Sequence, residues 1–271
     1  MLGSEMIRSV VFSIVLCAAM ARAGVKSGHA EAELLSASDG YSAGQPVQLA
    51  LKLKLDRGWH SYWLNPGDSG APVSIDWTLP DGWVAGPLLY PVPQRFSTAG
   101  MVGYGYDDEV IMPVFLTPAE DASGEVKVRA AIDWLTCDPS ACVPGEAELT
   151  LDLKDGVGDP TPEAKDIEKA YRTVPQPVDG ATLQVEPGEK TLTLTITLPD
   201  DVDGEGAELI AATPNVLATQ ERVILGPSEE GSWKAIVPKN EYAKKTIDEL
   251  EVLLTGGKLE APLMLSWIME N

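Results

Sequence analysis

The chain has little of what most chemistry needs. Its 271 residues hold three cysteines and two histidines. With His29 and His60 as the whole imidazole supply, no Ser-His-Asp set assembles convincingly. The thioredoxin-type C-x-x-C is missing as well. Basic residues are scarce, with 20 Lys and Arg against 41 Asp and Glu and a formal charge of −21. That balance argues against nucleic acid or anionic lipid as a partner. The acidic residues are spread along the chain and read as a solubilising surface. Past the first two dozen residues, no apolar run is long enough for a membrane helix, so no membrane insertion of the mature chain is expected.

The N-terminus carries an export pattern. Arg8 supplies the positive charge, Ser9 to Met20 is a short apolar run, and Ala21-Arg22-Ala23 is an A-x-A site before Gly24. The run is too short to span a bilayer. Leu16, where a lipoprotein needs a small residue before Cys17, excludes lipid attachment there. Residues 1–23 are therefore expected to be a signal peptide cleaved after Ala23, which predicts a periplasmic protein. Two cysteines then remain, and an even count in an oxidising compartment predicts one disulfide.

The mature chain reads as all-β. Val47, Leu49, Leu51, Leu53 and Leu55 alternate with Gln48, Lys52 and Lys54, the two-residue period of a half-buried strand. Similar runs fit 73–77, 110–116, 126–134 and 147–153. Turn-formers lie between them, such as Asn65-Pro66-Gly67-Asp68 and Pro80-Asp81-Gly82. Short strands divided by such turns predict a sandwich over 24–158. From Asp159 the pattern changes. Thr161 is placed to cap a helix, with Pro162 at its first position and Ile167 and Tyr171 on one face. Pro175 and Pro177 end it, which makes 159–178 a linker with a short helix. A second sandwich is expected over 179–271. Its strands fit 191–198, 209–212, 222–225, 232–237, 250–255 and 262–269, and it has neither cysteine nor histidine.

The chemistry concentrates in Trp134-Leu-Thr-Cys137-Asp-Pro-Ser-Ala-Cys142-Val-Pro144-Gly145. The four-residue spacing closes a local disulfide if the backbone turns, and Pro139 favours a turn. The pair then sits at a hairpin end on the sandwich rim. Three uses remain open. As a staple it closes a short loop and stabilises less than a long-range bridge, although most disulfides of exported proteins are structural. As a redox couple, one thiolate attacks a partner disulfide and the second cysteine resolves the product. As a soft-metal site it lacks flanking Met and His, so metal ranks last. His60 lies in the aromatic stretch Gly58-Trp-His-Ser-Tyr-Trp63, where a packed, hydrogen-bonded histidine is the default. Asp107, Asp108 and Glu109 read as a solvated turn. Beside the cysteines they would oppose thiol ionisation.

Four motifs occur in order: Gly58-Trp-His-Ser-Tyr-Trp63, Asn65-Pro-Gly-Asp-Ser-Gly70, Tyr104-Gly-Tyr-Asp-Asp-Glu-Val110, and Cys137 with Cys142-Val-Pro144-Gly145. Together they resemble the N-terminal periplasmic domain of the thiol:disulfide interchange protein DsbD family, in the longer form of its ScsB-like relatives. The specific match runs from about 47 to 153, with weaker likeness beyond. The resemblance implies two immunoglobulin-like sandwiches, the first using Cys137 and Cys142 to shuttle electrons without a cofactor. It implies a membrane thiol transporter as donor and periplasmic thioredoxin-fold oxidoreductases as acceptors, in disulfide isomerisation or cytochrome c maturation. Because the sequence ends at Asn271 without transmembrane or thioredoxin domains, the donor is expected to be a separate chain. It also implies an aromatic cap over the cysteines, with Tyr104, Tyr106 and Phe96 as candidates. Cys142 is expected to attack and Cys137 to resolve. The competing expectation is an envelope binding or assembly module with a structural disulfide.

Overall fold

The two-residue period of Val47–Leu55 builds the centre of the first sheet. Leu49, Leu51 and Leu53 are fully buried, worth roughly 1.5–3 kcal/mol each against exposure. The computed structural model describes residues 24–98, 100–228, 231–244 and 246–269. The expected signal peptide and Cys17 lie outside the described residues.

In the first sheet, Val47–Leu55 lies between Ala30–Ser36 and Glu109–Thr117, with Val25–Ser27 and Val84–Ala85 at the edges. The facing sheet runs Gly40–Tyr41, Cys142–Asp155, Val126–Cys137, His60–Gly67, Met101–Asp107 and Gln94–Thr98. Ser74–Thr78 also pairs with Val126–Cys137. Between the sheets lie Val128, Ala130, Ile132, Trp134, Trp63 and the inward leucines. The second sandwich joins Thr182–Pro187, Thr191–Thr197, Trp233–Pro238 and Gly226–Pro227 to a sheet of Val223–Ile224, Glu208–Ala211, Glu249–Thr255 and Leu263–Ile268. Leu192, Leu194 and Ile196 point inward and are fully buried, with threonines between them. Among the described residues the fold is all-β with one short helix. Among the described residues no helix is long and apolar enough to cross a membrane.

That helix, Ala164–Arg172, begins later than the Thr161 cap predicts. Glu163 takes the N-cap position without a side-chain bond. Thr161 instead donates its hydroxyl to the Ser36 carbonyl, tying the approach to the first sandwich. Ile167 and Tyr171 do share a face. Ile167 is buried against Leu35 and Ala50, and Tyr171 meets the Phe115 ring edge-on at 5.7 Å. The segment is thus docked on the outer face of the first sheet.

A second departure is Asn65-Pro66-Gly67, which is strand and not turn. His60–Gly67 continues through it with a register shift between Tyr62 and Gly67. The cause is the second sandwich. Asn65 is buried and donates Nδ2–H to the Ala211 carbonyl at 2.8 Å, while its Oδ1 accepts the Gly67 N–H. Asp68 accepts from the Thr219 hydroxyl, from Gln220 Nε2 at 2.6 Å and from the Val102 N–H at 2.8 Å. Arg95 donates to the carbonyls of Thr219 and Gln220. Ile210, Ala212 and Leu253 of the second sandwich join the core cluster of the first. Asn65→Ala would leave the Ala211 carbonyl buried and unpaired. We expect a loss of about 1–3 kcal/mol, measurable as a lower urea midpoint.

Candidate functional site

Val126–Cys137 and Cys142–Asp155 form one long hairpin in unbroken register, with Cys137 directly opposite Cys142. The two sulfurs are bonded and their Cα atoms lie 4.1 Å apart. Cys137 is 1% exposed, whereas Cys142 is exposed at the strand start. The loop between them is organised by a residue that the sequence reading passed over. Asp138 Oδ1 accepts the Ser140 N–H at 2.7 Å, the Ser140 hydroxyl at 2.8 Å and the Ala141 N–H at 2.8 Å. Asp138 N–H returns a bond to the Ala141 carbonyl. This is an Asx-type turn, and Asp two residues before Ser was its available signal. The bonds from the Ser140 side chain, then from the Ser140 and Ala141 amides, hold the Asp138 carboxyl below its ordinary 3.8.

Two glycines of the motifs make room for rings. Gly145 lies opposite Trp134, and a Cβ there would fall 2.4 Å from the indole. Gly103 lies opposite Phe96, and its Cβ would meet the Phe96 ring at 2.3 Å.

Strand alternation then sorts the candidate residues by face. His60 is the cross-strand partner of Cys137 on one side and of Asp107 on the other. Tyr62 pairs with Gly105 and Phe96 with Gly103, so both share the face of His60 and the cysteines. The rings confirm it. Phe96 lies 4.0 Å from His60 and 5.9 Å from Tyr62, centroid to centroid. Of the three cap candidates, only Phe96 is on this face. Tyr104 and Tyr106, one residue out of phase, point into the sandwich. Tyr104 packs near Trp63, and Tyr106 donates its hydroxyl to the Pro91 carbonyl at 2.7 Å. Burial drives the Tyr106 hydroxyl pKa well up.

His60 Nε2 bonds the Tyr62 hydroxyl at 3.3 Å. Burial lowers the imidazole below its ordinary 6.5, against the opposing pull of Asp138 and Asp107. It is therefore mainly neutral at pH 7. Gly58, Trp59, His60, Gln94, Phe96, Asp107 and Asp108 line a cleft of about 220 Å³, which Tyr106 also borders although its hydroxyl is turned to Pro91. Nearby, His29 stacks on Trp59 at 3.7 Å, and buried Thr136 donates to the Gly28 carbonyl, fastening that turn to the cysteine strand. Among the described residues no group of three or more His, Cys, Asp or Glu side chains is arranged to hold a metal.

The family model for the N-terminal part of the thiol:disulfide interchange protein DsbD matches residues 31–154. Residues 31–154 are a DsbD N-terminal domain. The cysteine hairpin, the Phe96 strand and the aromatic segment all lie inside it, which places the pair in a thiol-disulfide interchange family. The crystal structure of the N-terminal periplasmic domain of ScsB from Proteus mirabilis is similar to this chain, with a TM-score of 0.62 at 19% identity. It covers 89% of this chain and 93% of that one, so the likeness of fold extends past the DsbD N-terminal domain into the second sandwich. The YadV chaperone (TM-score 0.24, 9% identity, 88% of this chain and 100% of that one) and the major pilin subunit BcpA of Bacillus cereus (0.26, 11%, 89% and 67%) are far more distant in shape. No curated protein sequence matches the chain.

In this DsbD N-terminal domain the Asp138 turn gives a pH prediction. Because the folded carboxyl titrates below 3.8, its contribution to loop stability is complete above that value. It is lost as pH falls through the lower folded one. NMR titration of the Asp138 carboxyl carbon should show the depressed midpoint. Asp138→Ala should speed amide exchange at Ser140 and Ala141 at neutral pH.

Proposed function

We propose that this protein is a periplasmic electron relay. Cys137 and Cys142 take electrons from a membrane thiol transporter and pass them to thioredoxin-fold oxidoreductases that serve disulfide isomerisation or cytochrome c maturation. The observation that carries the reading is the asymmetry of the pair, with one sulfur exposed at a hairpin tip and its partner buried behind it. An exposed thiolate is what a protein disulfide can reach. A buried second thiol is protected until the first has reacted.

The exchange balances as follows. The Cys142 thiolate attacks one sulfur of the partner disulfide, and the partner's other sulfur leaves as a thiolate and is protonated. Cys137 then loses its proton and attacks Cys142 Sγ. The Cys137–Cys142 bond forms, the bond to the partner breaks, and two electrons have passed to the partner. The donor runs the same steps in reverse. Phe96, on the cysteine face, is the shield in this reading, and docking displaces it.

The reduction potential of the pair in the mature protein tests the proposal. Titration against a defined dithiol buffer should give a value of roughly −270 to −180 mV, between thioredoxin and the disulfide isomerases. A value below about −300 mV would identify a structural staple and end the relay reading. Single variants test the order of attack. Cys137→Ala should trap a partner through Cys142 as a stable mixed disulfide, and Cys142→Ala should not. The opposite pattern reverses the roles.

A further inference from the structure

We infer that His60 is the proton acceptor for Cys137 in the step that closes the disulfide. This rests on the exchange reading above and adds a residue to it.

The step has an unmet requirement. Cys137 is buried, and a buried thiol must lose its proton before it can attack. Water is a poor recipient in such a place, so a neighbouring base is needed. Cross-strand pairing supplies one. His60 is the residue opposite Cys137 on the strand next to it, and the two side chains share a face. Directly opposed residues carry their Cβ atoms about 4.5–5.5 Å apart. Cys137 is thus flanked by Cys142 on one strand and by His60 on the other.

The imidazole is suited to the task. Burial keeps it neutral at pH 7, so it can accept a proton. Nε2 is engaged by the Tyr62 hydroxyl, and among the described residues Nδ1 has no hydrogen-bond partner. The charged and titratable groups around it are known. Asp107 faces it from the strand Met101–Asp107, held by Gln94 Nε2 at 2.8 Å, and Asp138 acts from the cysteine turn. Asp108 and Tyr106 line the same cleft, the tyrosine with its pKa driven well up by burial, and Phe96 packs on the ring without bringing charge. Both Asp107 and Asp138 favour the imidazolium that forms on proton transfer. The proton passes from Cys137 Sγ to the imidazole. The Cys137 thiolate attacks Cys142 Sγ and displaces the thiolate bound there. The imidazolium then releases its proton to solvent through the cleft.

The probe is dithiobis(nitrobenzoate), mixed with the fully reduced mature protein in a stopped-flow instrument. Cys142 attack releases one thionitrobenzoate, and Cys137 closure releases the second. With a neutral imidazole as base, the second rate should level off above the imidazole transition, which lies below 6.5, and stay flat until the thiol itself ionises. His60→Gln should slow that phase at pH 7 by roughly 10²-fold and make it rise about tenfold per pH unit. The first phase should hardly change. His60→Phe, which keeps an aromatic ring, should behave in the same way. A wild-type second phase that climbs tenfold per unit from about pH 6 to 8 overturns the inference without any variant, as does a second phase unchanged in both variants. If the wild type releases no second thionitrobenzoate at any pH, the exchange reading fails instead.

Discussion

The site depends on one geometric constraint, the alternation of Val126–Cys137 across its sheet. Val128, Ala130, Ile132, Trp134 and Thr136 face the core and are buried. Cys137 belongs to the other set, with Arg129 and Asp133, which are exposed. It should be as open as they are, yet it is 1% exposed. On that face its cross-strand neighbour is His60, which gathers with Tyr62 and Phe96 into a small outer layer at the end of the hairpin. A cysteine in the core would be sealed by the whole sandwich. One beneath an outer layer can be uncovered by moving a few side chains, at a cost far below that of unfolding.

The same layer links the site to the second sandwich. Phe96 sits on Gln94–Thr98, an edge strand that among the described residues pairs only with Met101–Asp107. An edge strand with one neighbour is the part of a sheet most easily displaced. Its neighbouring residue Arg95, turned to the opposite face, bonds two carbonyls of the second sandwich. Asn65 and Asp68, on and just past His60–Gly67 one strand further in, bond that sandwich too. The second sandwich therefore braces the Phe96 strand from behind, although it carries neither cysteine nor histidine. This gives a physical reason for a chemically silent half.

The clean strands were legible because their chemistry is local. Val47–Leu55 starts and ends where its alternation does, and the threonine-spaced leucines of Thr191–Thr197 behave likewise. The cysteine hairpin was legible from spacing and Pro139. What escaped depends on distant partners. Asn65-Pro66-Gly67 has the composition of a turn and becomes strand because Asn65 finds Ala211, 146 residues away. Tyr104 and Tyr106 fit an aromatic cap by type and position, but one residue of phase turns them inward. Phase relative to a partner strand is a register, and no single segment encodes it. His60 looked like packing for the same reason. Only the pairing that sets it opposite Cys137 gives its imidazole a task.

Charge completes the picture. Carboxylates near a thiol oppose its ionisation, and Asp107, Asp108 and Asp138 all lie around this cleft and turn. On the relay reading, such a field suits a protein that must hold electrons without losing them to small oxidants. It slows the first attack in free solution and leaves the second unharmed, because the same carboxylates stabilise a protonated His60. Acceptors of the thioredoxin fold present their reactive cysteine at a helix N-terminus, a partial positive charge. Docking such an end against the acidic rim offsets the field where the Cys142 thiolate must form. On the relay reading, selectivity then comes from electrostatics that are unfavourable alone and favourable in the complex.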